Sequence, residues 1–234
     1  MVVGLDTATV DTAACAWRGG EVLYESQLGL SPAGRPLHAT GLLAEVEAAA
    51  AAAGGWSEVE LIAVGLGPGS FTGLRVGIAT ARGLSVSLGL PARGVCTLDA
   101  LAAGMADAEG GGQRLAVLDG WRGEVFAALY GPAGERLWEP GVYQPEQLAE
   151  RLGELDQAPL AAGSGAVRFR QELARGGVPI PDDSDPVHRV AARHVCALAA
   201  ATGDGEERDE LAPIYLRPPD AERWRERDAS QRAE

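Results

Sequence analysis

The chain has 234 residues, a formal net charge of -13 and a hydrophobic content of 46%. This length allows either one large domain or two lobes of about 100 residues each. No run approaches the roughly 18 consecutive apolar residues of a membrane span, and the N-terminus shows no export signal, so we expect a cytoplasmic protein without membrane contact. An acidic surface repels polyanions, so any nucleic acid is expected to be held mainly by a partner.

Three residue types exclude further classes of protein. All 20 basic residues are Arg, which excludes Schiff-base chemistry and a phosphate-binding loop built on Lys. Cys15, Cys96 and Cys196 are odd in number and lie in apolar surroundings, so we expect reduced core residues. The three histidines form no HxxxH or HExxH pair, so the sequence predicts no metal site.

The first half of the chain predicts three strands, a helix, a strand and a second helix. Apolar runs and alternation predict the strands, and the Gly19-Gly20 turn separates the second from the third. Apolar residues recur at helical spacing from His38 to Ala53, where Gly54-Gly55 ends the helix. The predicted elements are strands 2–5, 12–17 and 21–28, helix 38–53, strand 61–66 and helix 72–88.

The second half repeats the opening pattern of the first. An apolar strand ends at Asp119 and a returning strand follows at 123–130, as a strand ending at Asp6 is followed by one at 12–17. This repetition predicts an internally duplicated α/β fold with an N-terminal lobe at 1–109 and a C-terminal lobe at 110–234, joined at a Gly-rich linker. Further helices are expected near 145–155, 166–174 and 187–201, before a densely charged tail.

The turn after the first strand carries one carboxylate and two hydroxyls, on Asp6, Thr7 and Thr9. Such a turn can hold a magnesium ion and a nucleotide phosphate, with Asp119 and the Gly163 to Gly165 segment as second phosphate loop and adenosine loop. Asp and Thr also cap tight turns through hydrogen bonds to the backbone. Ala8 stands where close approach to a phosphate favours Gly, so both interpretations remain open.

The loop Gly67 to Gly73, GPGSFTG, resembles a serine-nucleophile loop at first sight. The nucleophile elbow needs Gly two residues before and two after the serine, and Ser70 lacks this spacing. The sequence also places no His and carboxylate beside it. We therefore expect Ser70 or Thr72 to cap the following helix, with no catalytic residue in the loop.

The helix after this loop contains Gly73, Gly77 and Gly83, each of which weakens a helix by about 1 kcal/mol relative to Ala. Gly73, Gly77 and Ala81 recur at a spacing of four and predict a smooth stripe packed closely against a neighbour. The helix is apolar almost all round, which indicates cover on more than one side. One side can pack on the protein's own sheet, and the other on a second helix that belongs either to this chain or to a partner. The predicted partner-facing residues of this helix and of the preceding one are His38, Leu42, Leu43, Val46, Phe71, Leu74, Arg75, Gly77 and Ile78.

With these motifs in place, the sequence resembles the TsaB (YeaZ) family, whose members serve the bacterial synthesis of threonylcarbamoyladenosine beside the tRNA anticodon. The resemblance covers nearly the whole chain, in the family's order, and the GPGSFTGLR string is highly specific. The matching segments are GLDTAT at 4–9, the helix from His38, GLGPGSFTGLRVGIATARGLS at 65–85, GVCTLDALA at 94–102, DGWRGEVFAALY at 119–130 and PIYLRPPDAE at 213–222.

The resemblance implies an actin-like (ASKHA, RNase H-like) two-lobe fold and a non-catalytic scaffold subunit. It implies a catalytic paralogue, TsaD, that pairs with the two N-terminal-lobe helices, an ATPase, TsaE, that joins the assembly, and a homodimer when TsaD is absent. A cofactor of this chain's own is not expected, whereas ATP or ADP with Mg could lie at the complex interface, and tRNA is expected only through the complex. The alternative from the enzyme class is an actin-like ATPase or small-molecule kinase that uses Asp6, Thr9 and Asp119.

Overall fold

The structure is a computed structural model that describes residues 1–107, 112–202 and 211–217. These residues form two mixed β-sheets and seven α-helices in an α/β arrangement. The lobe boundary predicted between residues 109 and 110 and the charged tail beyond Glu222 lie outside the described residues.

The first sheet has five strands in the order β3-β2-β1-β4-β5. The first three strands are antiparallel, and β1 then pairs in parallel with β4 and β4 with β5. The strands are β1 Val2–Asp6, β2 Thr12–Arg18, β3 Glu21–Leu28, β4 Leu61–Gly65 and β5 Ala92–Val95.

The second sheet has four strands in the order β8-β7-β6-β9. Two antiparallel pairs are again followed by one parallel pair, β6 with β9. The strands are β6 Arg114–Asp119, β7 Val125–Tyr130, β8 Arg136–Tyr143 and β9 Leu160–Ala162. The same order of four strands therefore occurs twice, which confirms the predicted duplicated, actin-like two-lobe fold.

Two helices, α1 (His38–Ala52) and α2 (Phe71–Leu88), cover the outer face of the first sheet. The sheet is buried on both faces, so its strands are apolar at successive positions rather than at alternate ones. On β1, Val3 and Leu5 face α1 and α2, whereas Val2 belongs to the core on the opposite side. Ser70 caps α2 by accepting a hydrogen bond from the Gly73 N–H at 3.2 Å, as predicted.

Two more helices, α3 (Thr97–Gly104) and α7 (Ala192–Ala201), lie between the two sheets and pack against each other. Helix α3 follows the first sheet in sequence but packs on β6 and β7 of the second. Helix α7 follows the second sheet in sequence but packs on β1, β2 and β4 of the first. One continuous apolar core therefore joins the two halves, and residues 192–201 belong spatially with the N-terminal lobe rather than with 110–234.

The outer face of the second sheet carries α4 (Pro145–Gly153), α5 (Ser164–Arg168) and α6 (Arg170–Ala174). The helix predicted at 166–174 is thus two short helices, and the one predicted at 187–201 begins only at Ala192, after a 3₁₀ turn at Pro186–His188. Strand β7 begins at Val125 rather than at Gly123, because Trp121, Arg122 and Gly123 have positive φ and form a turn.

Candidate functional site

The Asp6 carboxylate lies at the end of β1 and is only 1% exposed. Its Oδ1 accepts a hydrogen bond from the Ala8 N–H at 2.8 Å, and its Oδ2 accepts one from the Thr97 hydroxyl at 2.9 Å. Gly65 on the neighbouring strand leaves no further room, since a Cβ there would lie 1.7 Å from Oδ2. The carboxylate is thus enclosed by three segments of its own lobe.

Burial raises the pKa of Asp6 from 3.8 to about 6, and the hydrogen bonds from Ala8 and Thr97 only partly oppose this rise. The charged form of a buried carboxylate loses its hydration, which explains the direction. Repulsion between the Asp6 and Asp11 carboxylates adds a smaller contribution that also raises the pKa of Asp6.

The loop predicted to cap α2 closes directly on the turn after β1. The Ser70 N–H donates to the Ala8 carbonyl at 2.7 Å, and the Thr7 hydroxyl donates to the Gly73 carbonyl at 2.8 Å. A Cβ on Gly69 would lie 2.3 Å from the Ala8 carbonyl oxygen. The glycines of this loop therefore allow backbone to approach backbone.

These contacts occupy the groups that a phosphate would need. The Ala8 N–H is bonded to Asp6 and the Thr7 hydroxyl to Gly73, and Ala8 itself is 1% exposed. Thr9 is half-buried and its hydroxyl accepts the Asp11 N–H at 3.3 Å. Of the two interpretations of this turn, the contacts match the capped turn.

Asp119, predicted as the second phosphate loop, is also engaged. Its Oδ1 accepts the Trp121 N–H at 2.9 Å and its Oδ2 pairs with Arg168 at 2.6 Å. The predicted adenosine loop packs on β6, because a Cβ at Gly163 would lie 2.1 Å from the Val117 carbonyl oxygen. The Ser164 hydroxyl accepts the Asp119 N–H at 3.1 Å.

The buried imidazole of His38 joins α1 to the β1–β2 turn. Its Nε2 donates to the Thr9 carbonyl at 3.1 Å and its Nδ1 accepts from the Thr12 hydroxyl at 2.8 Å. A carbonyl only accepts, so the proton lies on Nε2. Burial lowers the pKa of His38 and keeps this ring neutral.

The nine residues predicted to face a partner divide into two groups. Six of the nine residues are buried and pack inside the chain's own lobe. Five of them have side chains that are at most 7% exposed, and the sixth is a buried glycine within α2. The partner-facing prediction is wrong for the side chains of the six residues of this group, namely His38, Leu42, Val46, Leu74, Gly77 and Ile78. The other three, Leu43, Phe71 and Arg75, are exposed.

The glycine stripe of α2 has an intramolecular explanation. A Cβ on Gly73 would lie 2.0 Å from the Thr7 carbonyl oxygen, and one on Gly77 would lie 2.3 Å from the Thr7 hydroxyl oxygen. Both glycines therefore let α2 approach the β1–β2 turn. Gly83, by contrast, is exposed and would place its Cβ in open space.

Two exposed side chains at the start of α2, Phe71 and Arg75, form a cluster with the exposed Tyr215 of segment 211–217, and we call these three residues the Phe71 cluster. The Arg75 guanidinium lies 3.8 Å from the centre of the Phe71 ring, and the Tyr215 ring lies 5.4 Å from the Phe71 ring. Both aromatic side chains are 39% exposed. The cluster thus presents aromatic surface beside a cation at the protein surface.

Tyr215 was not among the predicted site residues. It reaches the cluster because segment 211–217 returns to the first lobe, where the Ile214 N–H donates to the Leu66 carbonyl at 2.7 Å and Leu211 is buried in the core. The only sequence signal was the PIYLR string at 213–217. Periodicity does not reveal such a contact, since the segment forms neither helix nor strand.

The exposed faces of α1 and α2 also carry apolar and small side chains, as the Phe71 cluster carries aromatic ones. On α1, Leu43 is 57% exposed, and on α2, Val86 is 85% exposed. Ala79 and Gly83, between the Phe71 cluster and Val86, are small and exposed. Helices α1 and α2 contact each other, so both faces lie on the same side of the first sheet.

Within residues 1–107, 112–202 and 211–217, no helix is long and apolar enough to cross a membrane. Over the same ranges, no three His, Cys, Asp or Glu side chains are grouped as metal ligands. His188, which follows an acidic stretch in sequence, accepts the Gly163 N–H through Nδ1 at 3.1 Å.

Comparison with known proteins identifies relatives of this chain. A family model described as TsaD: tRNA N6-adenosine threonylcarbamoyltransferase matches residues 33–175, more than half of the chain. The tRNA threonylcarbamoyladenosine biosynthesis protein TsaB of Escherichia coli is 30% identical over 92% of this chain and 94% of its own. YeaZ from Pseudomonas aeruginosa is similar in structure, with a TM-score of 0.74 and 28% identity over 92% of this chain and 99% of that one. The chain therefore belongs to the TsaB (YeaZ) family of tRNA threonylcarbamoyladenosine biosynthesis proteins.

Proposed function

We propose that this chain is a non-catalytic scaffold subunit of the complex that transfers threonylcarbamoyl to the adenosine next to the tRNA anticodon. A TsaD-like paralogue supplies the catalytic residues, and a TsaE-like ATPase joins the assembly. In the absence of the paralogue, a second copy of this chain occupies the same surface. The complex works in the cytoplasm, and any ATP or ADP with Mg lies at the junction between subunits rather than within this chain.

The observation that carries this proposal is the Phe71 cluster. Aromatic residues and arginine dominate the binding energy of protein interfaces when they lie at the centre of a contact. Here Arg75 is already held over the Phe71 ring at 3.8 Å, so little side-chain freedom remains to be lost on binding. Exposed Leu43 on α1 extends the apolar surface of the same lobe.

The enzyme alternative finds less support in the contacts. An ATPase of this fold needs Asp6 and the adjoining backbone N–H groups to face the nucleotide. Asp6 is enclosed, and the Ala8 N–H donates to it rather than to a ligand. Asp119 is likewise paired with Arg168.

The proposal predicts that the Phe71 cluster determines binding to the paralogue. Phe71→Ala and Tyr215→Ala each remove an exposed ring and should weaken the complex at least about tenfold, as for interface residues of this type. Leu137→Ala is the matched control, because Leu137 is 44% exposed but lies on β8 of the other lobe. Size-exclusion chromatography with the TsaD-like protein, followed by calorimetric titration, measures the effect.

An unchanged complex for both aromatic variants would contradict the proposed interface, provided that circular dichroism shows each variant to be folded.

The enzyme alternative has its own test, which is calorimetry of the isolated chain with magnesium and ATP. Binding at micromolar affinity would restore that alternative, whereas the scaffold proposal expects no heat of binding.

A further inference from the structure

Helix α2 presents a cationic face on an acidic chain. Of the 234 residues 33 are acidic, yet residues 61–98, which contain all of α2, include neither Asp nor Glu. Arg75 and Arg82 lie on α2, and both side chains are exposed. Among the residues that the structure describes, no carboxylate forms an ion pair with either guanidinium. Both positive charges are therefore available to a partner.

The two arginines lie on one side of α2. Seven residues make nearly two turns of an α-helix, so Arg75 and Arg82 are about 10 Å apart along its axis. Ala79 and Val86 alternate with them at intervals of four, three and four residues, and both are exposed, Val86 by 85%. Such intervals are those of the residues at the seam between two packed helices. We call Arg75, Ala79, Arg82 and Val86 the α2 stripe.

The α2 stripe suits a protein helix better than a nucleic acid. Ala79 is small and allows a second helix to approach closely, and Val86 gains free energy when a partner removes it from water. A nucleic acid would meet only two positive charges on a chain with a net charge of -13, whereas binding to nucleic acids depends on many phosphate contacts. The charge of the α2 stripe is instead complementary to a protein helix that carries carboxylates.

A second copy of this chain would meet the α2 stripe with like charges. A two-fold interface presents the same patch from both subunits, so it brings four arginines together without an acidic residue from α2. Both carboxylates of the adjoining α1 already have partners in the chain. Glu45 accepts the Tyr24 hydroxyl at 2.5 Å. Glu47 accepts the Trp56 Nε1–H at 3.1 Å. Like charges across an interface oppose association, so the α2 stripe disfavours the homodimer.

We propose that the α2 stripe selects the TsaD-like paralogue over a second copy of this chain, because it docks a helix of the paralogue that carries carboxylates opposite Arg75 and Arg82. This inference rests on the proposed function, which brings the paralogue to this lobe. The heterocomplex gains ion pairs where the homodimer has repulsion. The paralogue therefore displaces a second copy even where the apolar contacts of the two interfaces are alike.

Salt concentration separates attraction from repulsion, because dissolved ions screen both. Calorimetric titration with the TsaD-like protein measures the Kd of the heterocomplex, and analytical ultracentrifugation of the chain alone measures the Kd of the homodimer. Between about 50 mM and about 500 mM NaCl, we expect the Kd of the heterocomplex to rise several-fold and that of the homodimer to fall.

Arg82→Glu reverses one charge of the α2 stripe and leaves the Phe71 cluster intact. It should raise the Kd of the heterocomplex at least about tenfold and lower that of the homodimer, since the new carboxylate faces arginines of the other copy. Arg82→Gln only removes the charge and should shift both constants in the same directions by less. Arg175→Glu is the matched control and should change neither, because Arg175 is exposed at the end of α6.

Circular dichroism checks the fold first, which should persist because Arg82 is exposed and both replacements are good helix formers. A wild-type heterocomplex whose Kd changes neither with salt nor in Arg82→Glu overturns this inference alone. A homodimer that Arg82→Glu weakens also overturns it, because the arginine then attracts the other copy. Loss of tRNA binding by Arg82→Glu, with an unchanged heterocomplex, assigns the α2 stripe to nucleic acid and overturns it too. A wild-type chain that does not bind the paralogue overturns the proposed function, and this inference with it.

Discussion

Asp6 shows how one residue type at one position can indicate opposite functions. In sequence, a strand ending in Asp followed by hydroxyl residues is compatible with binding of magnesium and phosphate. In the structure, both carboxylate oxygens accept hydrogen bonds from the chain itself, and the side chain is 1% exposed. The deciding partner, Thr97, is 91 residues away, so no local pattern could reveal it.

The raised pKa of Asp6 predicts a pH dependence of stability. Because its pKa is about 6 in the folded chain and near 3.8 otherwise, the folded state binds more protons between these values. The stabilisation from protonation is full below about pH 4 and is lost as the pH rises through about 6. The free energy of unfolding of wild type relative to Asp6→Asn should therefore fall by about 1 kcal/mol between pH 5 and pH 8.

Urea unfolding of both proteins at several pH values measures this difference. The Asn variant of Asp156, an exposed carboxylate, controls for the loss of one negative charge. A wild-type to Asp6→Asn difference that stays constant across this pH range would show that Asp6 keeps its ordinary acidity.

Helix α2 is the element in which sequence and structure differ most instructively. Its poor intrinsic propensity correctly indicated close packing on the glycine side, but the neighbour is the chain's own β1–β2 turn. Periodicity identifies a smooth face and does not say what covers it. Only the exposed positions, among them Phe71 and Arg75, stay predicted partner contacts.

Two glycines of α2 should respond oppositely to alanine. Gly73→Ala places a methyl group against the Thr7 carbonyl oxygen and should destabilise the fold by about 1–3 kcal/mol. Gly83→Ala meets open space and should stabilise it by up to about 1 kcal/mol through helix propensity. Thermal and urea unfolding of the isolated chain give both signs, and equal shifts for the two variants would refute the packing argument.

The remaining elements were predictable in proportion to their length and pattern. Long apolar runs such as β1 and β4, buried on both faces, were found from sequence. The three-residue β9, the four-residue β5 and the eight-residue α3 were not, because too few residues establish a period. Strand β8 was also missed, since it contains Pro140 and Gly141 and lies at the sheet edge.

At the scale of the whole molecule, the two lobes exchange their last helices. Helix α3 packs on the second sheet and α7 on the first, and the two helices contact each other in a core that both sheets share. The duplication was predictable from the repeated strand-Asp-turn-strand pattern. The exchange of helices between the lobes was not predictable, because it depends on contacts between residues such as Gly4 and Cys196, which lie far apart in sequence.

A shared core predicts that the two lobes unfold together. Leu101 of α3 is 1% exposed between the sheets, so Leu101→Ala should cost about 2–5 kcal/mol through lost burial and a cavity. Leu43→Ala, on an exposed helix face, is the control and should cost much less. The chain has five tryptophans, so the measurement uses variants that keep only Trp17 in the first sheet or only Trp138 in the second. Fluorescence of both should report one coincident, shifted transition when Leu101→Ala is added, and separate transitions would contradict a shared core.

The position of α7 also determines what a ribosome exposes while it makes this chain. The first sheet is complete at Val95, but the helix that covers its inner face ends at Ala201. Because synthesis adds about 5–20 residues per second, some 5–20 s pass between the completion of the first sheet and the completion of α7. During this time Cys15, Ala63 and their neighbours on the inner face stay uncovered. The first lobe therefore becomes a finished domain only after Ala201 has been synthesised, well after the whole second sheet.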